Sequence, residues 1–289
     1  MSLKGKTLFI SGGSRGIGLA IALRAAADGA NIIIAAKTAE PHPTLPGTIY
    51  TAKEAIEEAG GVAVAALCDI RDEAAVQAAV AQGVAAFGGI DICVNNASAI
   101  ALTGTLTTEM KRYDLMQQVN ARGTFLCSKL TLPYLLHGEN PHILNIAPPL
   151  DLAPKWFAPH VAYTTAKFGM SLCTLGMAEE FRAQGVAVNS LWPLTVIDTA
   201  ALRIAMPANR SQWLSRSPQI MADAAYAILN RPARDCTGNF FIDEEVLRAE
   251  GITDFSGYAP DAGDNPLGAD FFIPDAVFEH SPTRIQHRP

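Results

Sequence analysis

The sequence predicts an α/β fold, with a doubly wound parallel sheet of about seven strands and helices on both faces. Along residues 1–250, short apolar segments alternate with longer segments in which apolar residues recur at helical spacing. The short segments are apolar throughout, as in Ile32-Ile33-Ile34, which is typical of parallel strands that are buried on both faces. Right-handed crossovers between such strands give a doubly wound sheet.

The elements are predicted in nearly regular alternation. Strands are predicted at residues 7–11, 31–36, 62–67, 90–94, 142–146, 186–191 and 239–242. Helices are predicted at residues 17–28, 51–59, 72–87, 109–119, 124–136, 162–182 and 221–229. The first two helices stop before Gly29 and Gly60, because glycine tolerates the left-handed backbone that ends a helix. Residues 41–47 are predicted as a loop, since three prolines there remove backbone donors and fix φ.

Two segments depart from this alternation. A lid is predicted near residues 195–218, inside a single domain that spans residues 1–250. Residues 251–289 are rich in Gly, Pro and Asp and are predicted as an extended C-terminal tail, anchored by Phe271-Phe272-Ile273 on the domain or on a neighbouring subunit. Apolar side chains of the lid and of the loop before Tyr163 indicate an apolar pocket, lid packing or a subunit contact: Trp156, Phe157, Leu202, Ile204, Met206, Trp213 and Leu214.

Composition and charge narrow the class of protein. The net charge is −6 and the Lys and Arg residues are dispersed, so no basic stripe indicates a nucleic-acid partner. Five cysteines lie far apart without a C-x-x-C pair, which argues against a metal site or a disulfide framework and favours a cytoplasmic location. Residues 1–6 lead into a strand at once, which leaves no room for a signal peptide, and no apolar run is long enough to span a membrane.

A glycine-rich turn at residues 11–18 joins the first predicted strand to the first predicted helix. Glycines let the backbone approach a pyrophosphate, and the helix N-terminus offers N–H groups and the positive end of the helix dipole. In this strand–turn–helix context the pattern predicts a Rossmann-type dinucleotide site. The alternative is a turn that only packs the first helix on the sheet. The predicted cofactor-binding residues of the turn are Gly12, Gly13, Ser14, Arg15, Gly16, Ile17 and Gly18.

The end of the second strand indicates which dinucleotide binds. In an NAD enzyme an acidic residue there accepts a hydrogen bond from the ribose 2′-hydroxyl. In this sequence the strand is followed by Lys37, whose charge attracts a 2′-phosphate, and Arg15 can flank the same phosphate. We therefore predict NADP(H) as the cofactor. The alternative is that Lys37 is an ordinary solvated charge.

Tyr163 and Lys167 stand near the start of the predicted helix at residues 162–182. Residues four apart share one helix face, so the ammonium lies near the phenol. A nearby cation favours the phenolate and lowers the pKa of the phenol from its reference value of about 10. The phenol can then exchange the proton that accompanies hydride transfer. Tyr163 is therefore predicted as a general acid and base, although the spacing alone also fits a surface pair.

Together these motifs resemble the short-chain dehydrogenase/reductase family over roughly residues 5–245. The matching motifs occur in the family's order: the glycine turn, Asp69-Ile70, Asn95-Asn96-Ala97, Val119-Asn120, Tyr163 with Lys167, and Pro193. The resemblance implies a small-molecule carbonyl or alcohol as the substrate and a homodimer or homotetramer as the assembly. Segments 36–51 and 236–244 resemble one branch, the hydroxysteroid dehydrogenase-like protein 2 group, which implies a lipid- or steroid-like substrate.

The resemblance also implies roles at the adenosine end of the cofactor. Asp69 would hydrogen-bond the adenine, and Ile70 would pack beside it. Asn96 would line the cofactor. The alternative for Asp69 is that it only ends a strand or caps a turn.

At the nicotinamide end, the resemblance implies that Asn120 helps to hold a water on a proton path through Lys167. Lys167 would also bind the nicotinamide ribose. Segment 193–199, including Val196, would contact the nicotinamide through backbone and hydroxyl groups. For Asn120 the alternative is that the side chain satisfies buried backbone groups.

One residue that the family has is missing. The family carries a serine after the fifth strand that polarises the substrate oxygen, but Leu150 stands there and no hydroxyl lies between Asn145 and Tyr163. The loss of such a donor can cost roughly 3 kcal/mol of barrier. Ser98, where the family has glycine, is a hydroxyl that can lean into the site. Two functions follow: a working reductase with Tyr163 as its sole side-chain acid, or a cofactor-binding module with little turnover.

Overall fold

The computed structural model describes residues 2–200, 202 and 214–287. Seven parallel strands form the main sheet: β1 Thr7–Ser11, β2 Asn31–Ala36, β3 Val62–Leu67, β4 Ile92–Asn95, β5 His142–Asn145, β6 Ala187–Trp192 and β7 Phe240–Ile242. Their order across the sheet is β3-β2-β1-β4-β5-β6-β7, with Thr7 level with Asn31 and Ser11 level with Asn95. The predicted parallel sheet is confirmed. The strand order reverses between β1 and β4, which is where such sheets bind ligands at their carboxyl edge.

Helices cover both faces of the sheet. Their bounds are α1 Gly16–Ala26, α2 Ile49–Glu58, α3 Glu73–Phe87, α4 Met110–Met116, α5 Gly123–Leu135, α6 Pro154–Phe157, α7 Val161–Glu180, α8 Gln219–Leu229, α9 Asp243–Ala249 and α10 Asp275–Glu279. Leu8 and Ile10 of β1 pack in a cluster with α1, α2, α8 and α9, and Phe9 packs on the opposite face with α3, α5 and α7. Within the described ranges, none of the helices combines the length and hydropathy that crossing a bilayer requires.

Side-chain caps fix where two of the helices begin. The Thr48 hydroxyl accepts hydrogen bonds from the backbone N–H groups of Tyr50 and Thr51 at the start of α2. The Asp72 carboxylate does the same for the first turn of α3, which ends at Gly88 in the left-handed conformation. Such caps satisfy N–H groups that have no partner inside the helix.

One continuous helical segment replaces the two helices predicted at residues 109–119 and 124–136. α4 passes through a π-helical turn, Gln117–Arg122, directly into α5. At Gly123, where α5 begins, a Cβ would lie 2.5 Å from Cδ1 of Ile70, so the glycine lets the Ile70 side chain pack closely on this helical segment.

The C-terminal segment, residues 251–287, packs on the loop that follows β6. Its strand β8, Leu267–Gly268, pairs with β9, Ile285–Gln286. The Gly268 carbonyl oxygen accepts a hydrogen bond from the N–H of Val196, 3.0 Å from N to O. Phe272 is fully buried and has φ of +68°, a strained conformation for a bulky residue that the burial of its ring offsets.

A buried ion pair fastens this segment to the domain. The Arg216 Nη2 donates to the Glu244 carboxylate across 2.7 Å, and both side chains are 1% exposed. The hydroxyls of Ser281 and Thr283 donate to the same carboxylate. Glu244 lies in α9, a helix that the sequence pattern does not predict. This ion-pair cluster therefore joins α9, the end of the predicted lid segment and the end of the C-terminal segment.

Candidate active site

A cavity of about 460 Å³ lies along the carboxyl edge of the sheet. Its walls come from the glycine turn, the ends of β2 to β6, α7 and the C-terminal segment. The predicted site residues that line it are Gly12, Ser14, Arg15, Gly16, Ile17, Lys37, Asp69, Ile70, Asn96, Tyr163, Lys167 and Val196. Gly13, Gly18 and Asn120 do not line it. Leu202 also lines the cavity, whereas Ile204, Met206 and Trp213 lie outside the described residues.

The glycine turn provides a cradle for a phosphate. Gly12 has φ of +68° and Gly16 has φ of +58°, conformations that side chains disfavour. A Cβ at Gly12 would lie 2.9 Å from Cα of Ala97. α1 begins at Gly16, and its N-cap Arg15 makes no side-chain cap, so the first N–H groups of the helix remain for a ligand. The turn therefore fits the pyrophosphate of a dinucleotide.

Gly13 and Gly18 lie against other parts of the protein. A Cβ at Gly18 would lie 2.6 Å from the Asn96 Nδ2 and 2.7 Å from the Gly12 carbonyl oxygen, which agrees with the alternative interpretation that glycine lets the first helix pack closely. A Cβ at Gly13 would lie 3.4 Å from Ile10 and Ile34, an ordinary contact distance, so close packing does not account for this glycine.

Asn96 links the glycine turn to the loop after β4. Its side-chain Nδ2 donates to the carbonyl oxygens of Ser11 and Gly12, each across 3.1 Å. In return, the Ser11 hydroxyl accepts the backbone N–H groups of Asn96 and Ala97. Asn96 therefore holds the shape of the turn as well as lining the cavity.

Three charged residues, Arg15, Lys37 and Asp69, line the cavity at the glycine turn and at the ends of β2 and β3, where the sequence predicts that the adenosine of a cofactor binds. The Arg15 Nη2 donates to the Gly47 carbonyl across 2.8 Å, and its buried Nε has no hydrogen-bond partner among the described residues. Lys37 is exposed and lines the cavity. Asp69 forms a two-pronged ion pair with Arg71, and the hydrogen bonds from Arg71 lower the pKa of the Asp69 carboxyl. Arg71 was not predicted, although its spacing of two from Asp69 suits such a pair.

Tyr163 and Lys167 lie in the first two turns of α7, at the opposite end of the cavity. Tyr163 is 5% exposed and Lys167 is 3% exposed. The Lys167 Nζ donates to the Ile146 carbonyl across 2.9 Å and lies 5.0 Å from the centre of the Trp192 ring. Burial lowers the pKa of Lys167 to about 7, and the charge of Asp270 acts in the opposite direction. The pair thus combines a buried phenol with an ammonium that titrates near neutral pH.

An aromatic cluster holds the Tyr163 ring in place. Phe272 lies at its centre, with ring centroids 5.6–6.2 Å from those of its neighbours. These neighbours are Trp156, His160, Tyr163, Phe168, Trp192 and Phe271. The Trp156 indole N–H donates to the Asp151 carboxylate, which fixes that ring. The His160 Nδ1 shares a hydrogen bond with the Thr164 hydroxyl. Trp156 and Phe157, for which the sequence leaves a pocket, lid packing or a subunit contact open, do not line the cavity: Trp156 belongs to the aromatic cluster and Phe157 packs on Phe168.

The Asn120 side chain bonds to the loop after β4, and its expected role in holding a water stays a prediction. It is fully buried in the π-helical turn. Its Oδ1 accepts the N–H of Ala99 across 2.7 Å, and its Nδ2 donates to the Ala99 carbonyl across 3.0 Å. Both amide atoms are thus used by the loop after β4, as in the alternative interpretation. The side chain positions the cavity wall and makes no described contact with Lys167.

Val196 also departs from its expected role. Its N–H donates to Gly268 and its carbonyl accepts the N–H of Arg216, each across 3.0 Å. The expected backbone contacts with a nicotinamide are therefore already used within the protein. Sequence patterns do not reveal the hydrogen bond between Val196 and Gly268, because the two residues lie far apart along the chain. Val196 contributes to the cavity as a buried apolar wall.

No serine takes the place that the family motif leaves open. Ala147 is fully buried, and of the residues between Asn145 and Tyr163 only Ile146 lines the cavity. Ser98 lines the cavity from the loop after β4. The C-terminal segment adds Asp270 and Phe271 to the wall beside Tyr163. Asp270 was missed, since its segment carries no periodic pattern.

A buried polar network supports the strand ends beneath the site. The Asn95 Nδ2 donates to Asn145 and to Ser128, and the Asn145 Nδ2 donates to Thr174 across 2.8 Å. The Thr174 and Ser190 hydroxyls share a hydrogen bond of 2.7 Å. The network joins β4, β5, β6 and α7 and satisfies each side chain internally. The Asn95 side chain is thus bonded to other buried side chains beneath the site.

The chain is similar to known proteins over most of its length. The model of the short chain dehydrogenase family matches residues 6–208. Hydroxysteroid dehydrogenase-like protein 2 of Danio rerio is 58% identical over 281 residues, which are 96% of this chain and 67% of that protein. The Rattus norvegicus protein of the same name is 58% identical, and the match covers 53% of its length. The chain thus spans between about half and two thirds of the length of these relatives.

Solved structures show the same fold. A crystal structure of a Xanthomonas campestris protein is 58% identical, with a TM-score of 0.92 over 95% of this chain and 100% of that chain. A short chain dehydrogenase from Mycobacterium paratuberculosis bound to NAD has a TM-score of 0.70 at 25% identity, over 86% and 100% of the two chains. A metagenomic short-chain oxidoreductase in complex with NADP has a TM-score of 0.68 at 26% identity, over 84% and 98%.

Proposed function

This chain belongs to the short chain dehydrogenase family of oxidoreductases, and we propose that it transfers a hydride between NADP(H) and the carbonyl or alcohol of an apolar, lipid- or steroid-like substrate. One observation carries the proposal. Tyr163 and Lys167 line the same cavity as the phosphate-binding turn, at its opposite end. A dinucleotide whose pyrophosphate lies in the turn would therefore extend toward the phenol.

Tyr163 supplies the proton. When the cofactor is bound, its nicotinamide exchanges a hydride with the substrate carbon. During reduction the Tyr163 hydroxyl donates a proton to the substrate oxygen, and during oxidation the phenolate accepts it. The charged Lys167 favours the phenolate. The buried setting of both side chains excludes water from the proton transfer.

Apolar side chains around Tyr163 support an apolar substrate. The wall includes Ile100, Leu102, Leu115, Trp192 and Phe271. Such a wall favours hydrocarbon surface, and a few polar groups orient the reacting oxygen. The name of the Danio rerio relative points toward hydroxysteroids for that protein, which is consistent with this substrate class.

The experiment that tests the proposal follows NADPH consumption across a panel of ketones, aldehydes and fatty acyl carbonyls. We expect turnover with at least one apolar carbonyl, and none without a carbonyl substrate. Absence of turnover with every member, in a protein that still binds NADPH, would reject the proposed reaction.

The choice of NADP(H) rests on Lys37 and Arg15 at the adenosine end. Replacing Lys37 with Asp puts a negative charge beside the 2′-phosphate. We expect the affinity for NADPH to fall by about 10- to 100-fold, the scale of a lost charged hydrogen bond. NADH lacks the phosphate, so its affinity is expected to change little. Calorimetric titration with each cofactor measures both affinities.

Lys129→Asp is the matched control for this charge reversal, because Lys129 lies on α5 outside the cavity. It is expected to leave both affinities unchanged. Equal losses for NADPH and NADH in Lys37→Asp would contradict the assignment of Lys37 to the 2′-phosphate.

A cofactor-binding module with little catalysis is the second candidate function. The observation that favours it is the lack of a hydroxyl from the segment between β5 and α7, where Leu150 replaces the expected serine. If the chain is such a module, we expect the wild type and Tyr163→Phe to bind NADPH equally well. Neither protein would consume NADPH.

We also propose a homodimer or homotetramer as the assembly and the cytoplasm as the compartment. Packed against each other, α5 and α7 expose large apolar side chains, with Phe125 at 54%, Leu172 at 56% and Leu175 at 51%. Burial of such side chains between subunits stabilises an oligomer. For the compartment, the support is that all five cysteines are free thiols, as in reducing surroundings.

Leu172→Glu tests the proposed interface, since it would bury a charge between subunits. We expect light scattering to show a multiple of the chain mass for the wild type and a single chain for the variant. Leu106→Glu is the control, because Leu106 is fully exposed and lies on neither helix. A wild-type protein with the mass of one chain would contradict the assembly.

A further inference from the structure

The Lys167 ammonium lies in a setting that stabilises charge poorly. It is 3% exposed. Its described contacts are the Ile146 carbonyl at 2.9 Å, the Met170 sulfur at 3.5 Å and the Trp192 ring at 5.0 Å. These groups carry partial charges but no net negative charge. A buried ammonium needs an opposite charge nearby, or it tends to lose its proton.

Asp270 brings a carboxylate to the same end of the cavity. Both Asp270 and Lys167 line this cavity, and the other carboxylate among the described lining residues, Asp69, lies at the adenosine end in an ion pair with Arg71. Tyr163, which also lines the cavity, and His160, which packs on Tyr163 and Phe271, are the other titratable groups nearby.

The fold holds Asp270 in this position through its backbone. Its N–H donates to the Leu194 carbonyl across 3.0 Å, and its own Oδ1 accepts the N–H of Phe271 across 2.6 Å. The next carbonyl, that of Phe271, accepts the Trp192 indole N–H across 2.8 Å. Trp192 is the ring over which the Lys167 ammonium lies. The Trp192 ring therefore contacts both the Lys167 ammonium and the residue that follows Asp270.

We propose that Asp270 is a positioning residue of the active site, the counter-charge that keeps Lys167 protonated, so that the C-terminal segment is a functional part of the catalytic centre. Its consequence for catalysis rests on the proposed function, because Lys167 acts through Tyr163. The electrostatics agree with the geometry: burial lowers the pKa of Lys167 and the charge of Asp270 raises it. Removing that charge lowers the pKa further, so Lys167 loses its proton at a lower pH.

Asp270→Asn tests this inference directly. The amide keeps an Oδ1 that can accept the N–H of Phe271, so the local backbone is preserved. The readout is a pH titration of the Lys167 side chain by NMR, with ¹³C-labelled lysine and the Lys167 signal assigned with Lys167→Arg. We expect the titration midpoint to fall by about half a pH unit or more. Asp270→Glu, which retains the charge, is expected to stay close to the wild type.

Asp275→Asn is the matched control. Asp275 belongs to the same C-terminal segment, but its side chain is exposed and pairs with Lys155 at the surface. It is expected to leave the Lys167 midpoint unchanged. An unchanged midpoint in a folded Asp270→Asn protein overturns the inference. So does an equal shift in the control, because the effect would then not be specific to Asp270.

The titration needs no substrate, so failure of the inference differs from failure of the proposed function. A shifted midpoint in a protein that reduces no carbonyl would support the counter-charge and reject the reductase. Turnover with an unshifted midpoint would support the reductase and reject the counter-charge. Where turnover is present, the pH profile of kcat for Asp270→Asn is expected to be displaced from that of the wild type.

Discussion

Replacing Tyr163 with Phe is expected to lower kcat by about 10³-fold, within the range that general acid catalysis contributes. The change removes one hydroxyl and leaves the ring in the aromatic cluster around Phe272. Binding of NADPH is expected to persist, because the glycine turn and Lys37 are untouched. Steady-state rates with the best carbonyl of the panel, together with a cofactor titration, measure both effects.

Tyr113→Phe is the control for this substitution. Tyr113 lies on α4, is 36% exposed and does not line the cavity. Its loss of a hydroxyl is expected to leave kcat unchanged. If Tyr163→Phe retained the wild-type kcat, the phenol could not be the proton donor, and the catalytic role proposed for Tyr163 would be rejected.

The largest loss of stability is expected for Glu244→Ala. Arg216 would then remain buried without the carboxylate that pairs with it at 2.7 Å. Breaking a buried ion pair by removing one partner costs about 3–5 kcal/mol in the free energy of unfolding. The hydroxyls of Ser281 and Thr283 lose their acceptor at the same time. Urea denaturation of wild type and variant measures the difference.

Asp275→Ala provides the comparison at the surface. Its ion pair with Lys155 has a similar length, 2.7 Å, but both side chains are solvated. Exposed pairs contribute about 0–1 kcal/mol, so we expect a small change. Equal losses in the free energy of unfolding for the two variants would contradict the prediction that the buried ion pair stabilises the fold more than the exposed one.

Local patterns were sufficient to predict the sheet and the position of the glycine turn between β1 and α1. The apolar strands and the glycine turn depend on residues within one βα unit, as with Gly12 and Gly16, so their sequence signals are short in range. The sequence predicts two helices, at residues 109–119 and 124–136, where the structure has one continuous helical segment. The contact between Gly123 and Ile70, which comes from another part of the chain, is not visible in the local pattern.

The C-terminal half of the site could not be predicted in the same way. The bonds of Val196 to Gly268 and of Asp270 to Leu194 join residues more than seventy positions apart, and neither segment has a hydrophobic period. The family motif indicated a backbone contact for Val196 and a catalytic water for Asn120. In the structure, the backbone of Val196 bonds to Gly268 and Arg216, and the Asn120 side chain bonds to the backbone of Ala99. These partners come from distant parts of the chain, and the water at Asn120 stays a prediction.

The insertion of Phe272 between rings from α6, α7 and β6 has a consequence for biosynthesis. A ribosome delivers the N-terminal residues first, and the strands that end at residue 242 emerge before the segment that contains Phe272. The nascent sheet can therefore assemble while the wall beside Tyr163 is still missing. We therefore expect the wall beside Tyr163 to be completed after the sheet and the glycine turn have formed.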